Sequence, residues 1–202
     1  MNDYDGLPKI YLARHCKTIW NLENRLIGLT DLPLCPEGIA EANANLPYIQ
    51  TLGVNRIICS DLKRAYETAK TYADNLRVPL HPCPGLRELD HGRWNGVKVD
   101  ELLNDPNSRF KEWFEGDVSI PIPEGSETMH TAQKRIVETM KKILNRYPNE
   151  TLLVVMHKHI RSILRCALHD MDLSHFRENI DESIHPIEIP IDKLQRLIEL
   201  GI

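Results

Sequence analysis

Thr151-Leu152-Leu153-Val154-Val155-Met156-His157 is the stretch on which the fold turns. From Leu152 to Met156 no polar residue interrupts it. Strands that face water on one side alternate polar with apolar residues, so a continuous run of this length marks a strand covered on both faces. Such a strand needs helices above and below it. Helical spacing appears on both sides in the chain. Downstream, a helix is expected from about Ile160 to His169. Upstream, Ser126 reads as the cap of a long helix reaching about Tyr147, with Met129, Ala132, Ile136, Met140, Ile143 and Tyr147 on one face.

The same alternation extends toward the N-terminus. Lys9 to His15, Arg56 to Cys59 and Pro79 to Cys83 read as further short strands. Pro36 suits the first turn of a helix and Gly53 its end, with a kink or break expected at Pro47 and a weak cap at Cys35. Ser60 or Asp61 is expected to cap a helix to about Leu76, because Leu62, Ala65, Tyr66, Ala69, Ala73 and Leu76 recur at helical spacing. Gly85 to Gly96 reads as a charged, glycine-rich loop, and Glu101 to Phe114 as one helix. Beyond Asp172, Ile187 to Ile191 suits a strand, and Leu194 to Leu200 suits a helix or a strand. Strands alternating with helices give an α/β class, a three-layer α/β/α arrangement around a mostly parallel central sheet. Ligands of such sheets bind beyond the carboxyl ends of the strands. Two strands here run into histidine, at His15 and His157, and a third runs into Ser60-Asp61 with Arg64 just beyond.

Composition narrows the class. The 202 residues are 42% hydrophobic and 27% charged, which excludes disorder as the main state. Lys and Arg number 25 against 29 Asp and Glu, a net charge of −4, so a dedicated nucleic-acid binder is not expected. No apolar run reaches the roughly 18–20 residues of a membrane span. Met1 to Pro8 is polar and acidic, unlike a signal peptide. The five cysteines, Cys16, Cys35, Cys59, Cys83 and Cys166, are scattered and include no C-x-x-C pair. They read as reduced thiols of a cytoplasmic protein, not as a zinc site.

Four blocks carry chemistry-bearing residues. The first is Arg14-His15-Cys16-Lys17-Thr18-Ile19-Trp20-Asn21, followed by Arg25, Gly28, Asp31 and Pro33-Leu34. The second is Ser60-Asp61-Leu62-Lys63-Arg64-Ala65 with Thr68-Ala69. The third runs from Leu86-Arg87-Glu88 to Gly92-Arg93-Trp94-Asn95-Gly96, and the fourth is Val154-Val155-Met156-His157 with Arg161 after it. In this order, over about residues 9 to 165, they resemble the histidine phosphatase superfamily, which includes cofactor-dependent phosphoglycerate mutases, fructose-2,6-bisphosphatase and α-ribazole phosphatase. The resemblance implies a phosphoglycerate mutase-like fold and a single domain over residues 1–202, with a short lid-like insertion at about 97–123. It also leaves a homodimer open to the chain.

The expected function is hydrolysis of small phosphomonoesters, without metal or other cofactor, through a phosphohistidine on His15. An imidazole can attack phosphorus in line and leave again, which splits one hard step into two easier ones. Its attacking nitrogen must be neutral, so the other nitrogen should donate to a backbone carbonyl. Arg14 and Arg64 would grip the phosphoryl oxygens through forked, charge-assisted hydrogen bonds. Asn21 would add a neutral donor, and His157 positive charge. Glu88, which only the resemblance favours over Asp90, would protonate the leaving oxygen and then deprotonate the attacking water. Trp20 and Trp94 read as packing residues. Lys17, Lys63, Arg93 and Lys158 fit either the mouth of a pocket or plain surface, and are left out of the core site.

The chain departs from the family pattern at several positions. Cys16 replaces a glycine, and Lys158-His159 replaces Gly-Gly after the second histidine. Ile27 and Leu29 stand where polar or aromatic groups are usual, and Ser126-Glu127 reverses a Glu-Ser order. None of these removes a charged catalytic group. Three alternatives follow. One is mutase-type phosphoryl transfer, which the short 97–123 segment disfavours because a short lid favours release of the product. Another is a catalytically weak phosphate-binding member of the family. The last is a metal-dependent hydrolase built on His157, His159, His15 and Asp61, which the neighbouring arginines oppose. No cysteine is followed six residues later by arginine, so a C-x5-R cysteine phosphatase is excluded, and no G-x-x-x-x-G-K-[ST] run is present.

Overall fold

The computed structural model describes residues 6–201; Met1–Asp5, part of the polar opening segment, and Ile202 lie outside them. The chain opens with β1 (Lys9–Arg14), a single turn α1 (Ile19–Leu22) and α2 (Pro36–Thr51), then β2 (Arg56–Cys59), α3 (Lys63–Leu76) and β3 (Leu80–Pro82). Two 3-10 turns lead to the short helices α4 (Val99–Asn104) and α5 (Phe110–Phe114). After them come α6 (Met129–Arg146), β4 (Thr151–Met156), α7 (Lys158–His169), β5 (Ile187–Glu188) and α8 (Ile191–Glu199). The sheet order is β3-β2-β4-β1-β5, parallel except for β5, which runs antiparallel to β1 at the edge.

The decisive apolar strand lies in the middle of this sheet, which is why it needs apolar residues on both faces. Leu152, Val154 and Met156 join a core with α6, α7 and α8. Leu153 and Val155 join the other core, under α2 and α3. β1 divides the same way, Ile10 and Leu12 to one side, Tyr11 and Ala13 to the other. At about 1.5–3 kcal/mol for each fully buried large aliphatic side chain, these two layers are the main source of stability.

Local structure differs from expectation where a partner distant in sequence replaces a nearby one. α3 is capped neither by Ser60 nor by Asp61. Leu62 holds the cap position, and the N–H of Lys63 donates to Asp31 Oδ1 at 2.7 Å, across a separate loop. Asp61 instead accepts both arms of Arg87, at 2.8 and 2.6 Å. α2 continues through Pro47 without a break. Pro47 and Asn43 lie on its exposed face, so water can satisfy the carbonyl that loses its bond. α6 starts after Thr128, which forms a capping box with Thr131; the Ser126 N–H goes to Asp90 Oδ2 at 2.7 Å. The expected Glu101–Phe114 helix is two, because Pro106 forces Asp105 into extended backbone. In the tail, β5 is only two residues long, and Ile191–Glu199 is a helix with Leu194 and Leu197 buried.

The 97–123 segment is anchored by aromatic packing. Trp113 and Phe110 are fully buried, and the ring of Trp94 lies 5.3 and 5.1 Å from theirs. Trp94 is thus a packing residue, as expected. Among the described residues, no helix is long and apolar enough to cross a membrane.

Candidate active site

Pairing register brings the two strand-end histidines together. β1 and β4 are parallel neighbours with Arg14 opposite Met156, so the next residues, His15 and His157, emerge side by side. The His15 N–H donates to Met156 O at 3.0 Å, and the two imidazole centroids stand 5.1 Å apart. β2, on the other side of β4, delivers Ser60 and then Arg64 in the first turn of α3. All of this lies at the carboxyl end of the sheet, where the strand ends expose their last residues.

His15 is set in one tautomer. Its Nδ1 lies 2.7 Å from the carbonyl of Cys16, so Nδ1–H donates there and Nε2 keeps its lone pair. Arg64 Nε donates to that Nε2 at 3.3 Å. Burial holds the His15 pKa well below its ordinary value, and Arg64 and Arg14 push it further down. The ring is therefore neutral at neutral pH.

Arg64 is wholly buried, and two of its arms are fixed by carbonyls: Nη1 to Thr30 O at 2.8 Å and Nη2 to Gly28 O at 2.7 Å. Burial lowers its pKa to about 10, which leaves it charged at neutral pH. Gly28 sits at φ +49, and a Cβ there would come within 2.2 Å of Asn95 Oδ1, so this carbonyl is presented by a turn that only glycine fits. Arg14 donates through Nη1 to Glu182, while its buried Nε has no partner. The Asn21 carboxamide oxygen accepts from the Thr18 N–H and hydroxyl, each at 3.0 Å, which leaves its NH₂ group to donate.

Glu88 is buried and held from two sides. Its Oε1 accepts from the Leu89 and Ile160 N–H groups, each at 2.9 Å, and Oε2 accepts from the His159 N–H at 3.1 Å. The carboxyl group thus rests on the first turn of α7, directly after His157. Arg135 braces the preceding loop, donating to the carbonyls of Gly85 and Arg87 at 2.9 Å each and to Glu127 at 2.7 Å.

Arg14, His15, Asn21, Arg64 and Glu88 all line one cavity of about 360 Å³. His157 is fully buried behind His15, both ring nitrogens without partners among the described residues. Burial, then Arg64 and His15, press its pKa well down. Of the undecided cations, Lys17 and Lys158 line the cavity; Lys63 and Arg93 stand elsewhere, paired with Asp31 and Glu124. His159, singled out in the sequence only as a departure and as a metal ligand of the alternative reading, also lines it, as do His91 and Glu182, which the sequence did not single out. No sequence signal marks Glu182, because it comes from the irregular tail and meets Arg14 and Lys158 only after folding.

Cys16 is a packing residue. It is buried against Tyr72, and burial raises its thiol pKa to about 11, so it is not a ready nucleophile. Arg161 is buried away from this cavity, donating to Asp181 O. The carboxylate that the metal-ligand alternative requires, Asp61, is taken up by Arg87. The His159 ring packs edge-on to His91, at 4.8 Å, and to Trp113, at 5.8 Å.

Comparison with known proteins points the same way as the geometry. Residues 10–190 match the family model described as histidine phosphatase superfamily (branch 1). The chain is 29% identical over 170 residues to phosphoserine phosphatase 1 of Hydrogenobacter thermophilus, covering 84% of this chain and 80% of that one. It is 32% identical over 149 residues to a probable phosphoglycerate mutase GpmB of Yersinia pestis, covering 74% and 69%. A solved structure of phosphoserine phosphatase from Entamoeba histolytica, in complex with 3-phosphoglyceric acid, superposes with a TM-score of 0.77 at 25% identity, covering 91% of this chain and 95% of that one.

Proposed function

This chain belongs to the histidine phosphatase superfamily, and from that premise we propose that it hydrolyses small phosphorylated metabolites, without metal, through a phosphohistidine on His15. The observation that carries the proposal is the fixed tautomer of His15. A neutral, lone-pair-bearing Nε2 is aimed into a cavity between Arg64 and Arg14, with a buried carboxylate on the same wall.

The substrate's phosphoryl group binds with its oxygens toward Arg14, Arg64 and the Asn21 amide. Its two negative charges raise the proton affinity of His157, which lies outside the cavity lining with its ring centroid 5.1 Å from that of His15, so a proton taken up there adds positive charge behind the nucleophile as substrate enters. His15 Nε2 then attacks phosphorus in line. The N–P bond forms as the ester P–O bond breaks, and the Glu88 carboxyl proton passes to the leaving oxygen. In the second step Glu88, now a carboxylate, takes a proton from water. The water oxygen bonds to phosphorus, the N–P bond breaks, and inorganic phosphate leaves with the site restored. Positive side chains supply the field that stabilises the transition state, so the cycle has no step that needs a metal ion. Hydrolysis is preferred to mutase-type transfer because two short helices, α4 and α5, make up the segment over the cavity. A mutase must retain its intermediate long enough for reorientation.

Phosphate release from a panel of small phosphomonoesters, with and without chelator, tests this, alongside His15→Ala. Activity is expected to survive chelation and to form an acid-labile phosphoprotein. The variant should lose at least ~10⁴-fold, the scale seen when a covalent nucleophile is removed. Chelator-sensitive turnover, or a His15→Ala variant that still turns over, would overturn the proposal.

A further inference from the structure

Outside the phosphate seat, the cavity separates its charges from its apolar surface. Three further cations lie around its rim, and each is already held by a carboxylate. Lys17 pairs with Glu41 at 3.2 Å, Arg25 with Glu23 at 2.6 Å, and Lys158 with Glu182. A second anionic group on the substrate would gain no net attraction there, because each cation brings its own counter-charge. Glu182 is the more telling of these acids. It bridges Lys158 and Arg14, so once a phosphoryl group takes Arg14 the Glu182 carboxylate faces the rest of the substrate.

Apart from Asn24, the remaining wall is mostly apolar. Leu26, Ile27, Val99, Phe110 and Phe114 line the cavity between the first loop and the inserted segment. The Phe110 and Phe114 rings stack at 5.4 Å, and Arg177 caps the Phe114 ring at 4.3 Å, so this wall is in place before a ligand arrives. The buried, unpartnered polar groups beside it are the imidazoles of His91 and His159. Burial leaves both uncharged at neutral pH, with His91 lowered to about 4. A neutral imidazole offers one donor and one acceptor, which complements a hydroxyl or an amide, not a carboxylate.

We infer that the natural substrate is the phosphomonoester of an uncharged alcohol with an apolar body, which lies along Ile27, Val99 and Phe114 while its phosphoryl group sits on Arg14, His15 and Arg64. This rests on the phosphatase reading above and adds the class of alcohol. It departs from the similar proteins whose names refer to phosphoserine or phosphoglycerate.

Four alkyl esters test it, chosen so that no leaving group is chemically activated: phenethyl phosphate, ethyl phosphate, phosphoserine and 3-phosphoglycerate. kcat/KM for phenethyl phosphate should exceed that for each of the others by about tenfold or more, as expected for burying a ring-sized apolar surface. Phe114→Ser should lower the phenethyl-to-ethyl ratio several-fold. Glu182→Gln, at a side chain 58% exposed, should raise kcat/KM for 3-phosphoglycerate relative to ethyl phosphate. An active enzyme that prefers phosphoserine or 3-phosphoglycerate overturns the inference and leaves the phosphatase reading standing. So does a phenethyl-to-ethyl ratio that Phe114→Ser leaves unmoved in a folded variant. No turnover of any ester, with no phosphoprotein formed, overturns both.

Discussion

The floor and the rim of the same cavity are built in different ways. On the floor, His15, Arg64 and Glu88 are all buried and all fixed by backbone groups, with His157 buried behind His15. Carbonyls set the His15 tautomer and two arms of Arg64, and helix N–H groups set Glu88. At the rim, Lys17, Arg25 and Glu182 are partly or largely exposed and touch mainly each other's counter-charges. Backbone contacts cannot be changed by a side-chain substitution and cost no reorganisation during reaction, which is what a charge-stabilising site needs. Side-chain ion pairs in solvent are worth little and can rearrange around different substrates. In the proposed reading, the floor carries the reaction and the rim selects the alcohol.

The sharpest way to break this division is Glu88→Gln. The amide keeps the shape but cannot transfer a proton, so hydrolysis of alkyl esters should fall by about 10²–10⁴-fold. An ester with a good leaving group, such as p-nitrophenyl phosphate, needs less protonation and should lose much less in the burst that forms the phosphoenzyme. Equal losses in that burst for both esters would show that Glu88 only holds α7 in place.

Part of the floor was legible in the sequence because it is made of strand ends, whereas Glu88, in a loop after Leu86, was singled out only by the resemblance of its block. A strand that stops at a histidine, and a neighbouring parallel strand that does the same, need only the pairing register to meet. Arg64 followed from its place in the first turn after β2. The rim was not legible. Glu182 lies more than 160 residues from Arg14 in a tail of two-residue strand and irregular backbone, and no periodicity marks it. The same reason explains the misplaced caps. Asp31 reaches α3 from another loop, and a reading of neighbours alone chooses Ser60 or Asp61. Pro47 misled for a different reason: its exposed face makes the lost hydrogen bond cheap.

Arg64→Lys is the next largest effect expected. The three-nitrogen fork serves Thr30 O, Gly28 O and His15 Nε2 at once, and a single ammonium cannot reproduce that geometry. Leaving buried carbonyls unpaired and losing one charged contact to phosphate should reduce kcat/KM by about 10–100-fold. The loss should be similar for every ester tested, since the phosphoryl group is common to all. A loss confined to one substrate would move Arg64 from the floor to the rim.

His91 stands between the two regions, and its substitution should change stability by the smallest amount. Its ring is buried and unpaired, with a folded pKa of about 4 against 6.5 for an ordinary histidine. Above pH 6.5 neither the folded nor the unfolded chain binds the proton, and the full stability is present. Between pH 6.5 and about 4 only the unfolded chain takes it up, so stability falls as the pH falls, by up to about 1.4 kcal/mol per pH unit from this residue. His15, His157 and His159 add in the same direction, since burial lowers the pKa of each. Gln does not titrate, so thermal midpoints of His91→Gln between pH 7 and 4.5 should decline less steeply than those of the parent. Parallel curves would mean that the ring takes up a proton without unfolding, and that this corner of the cavity belongs to the solvated rim.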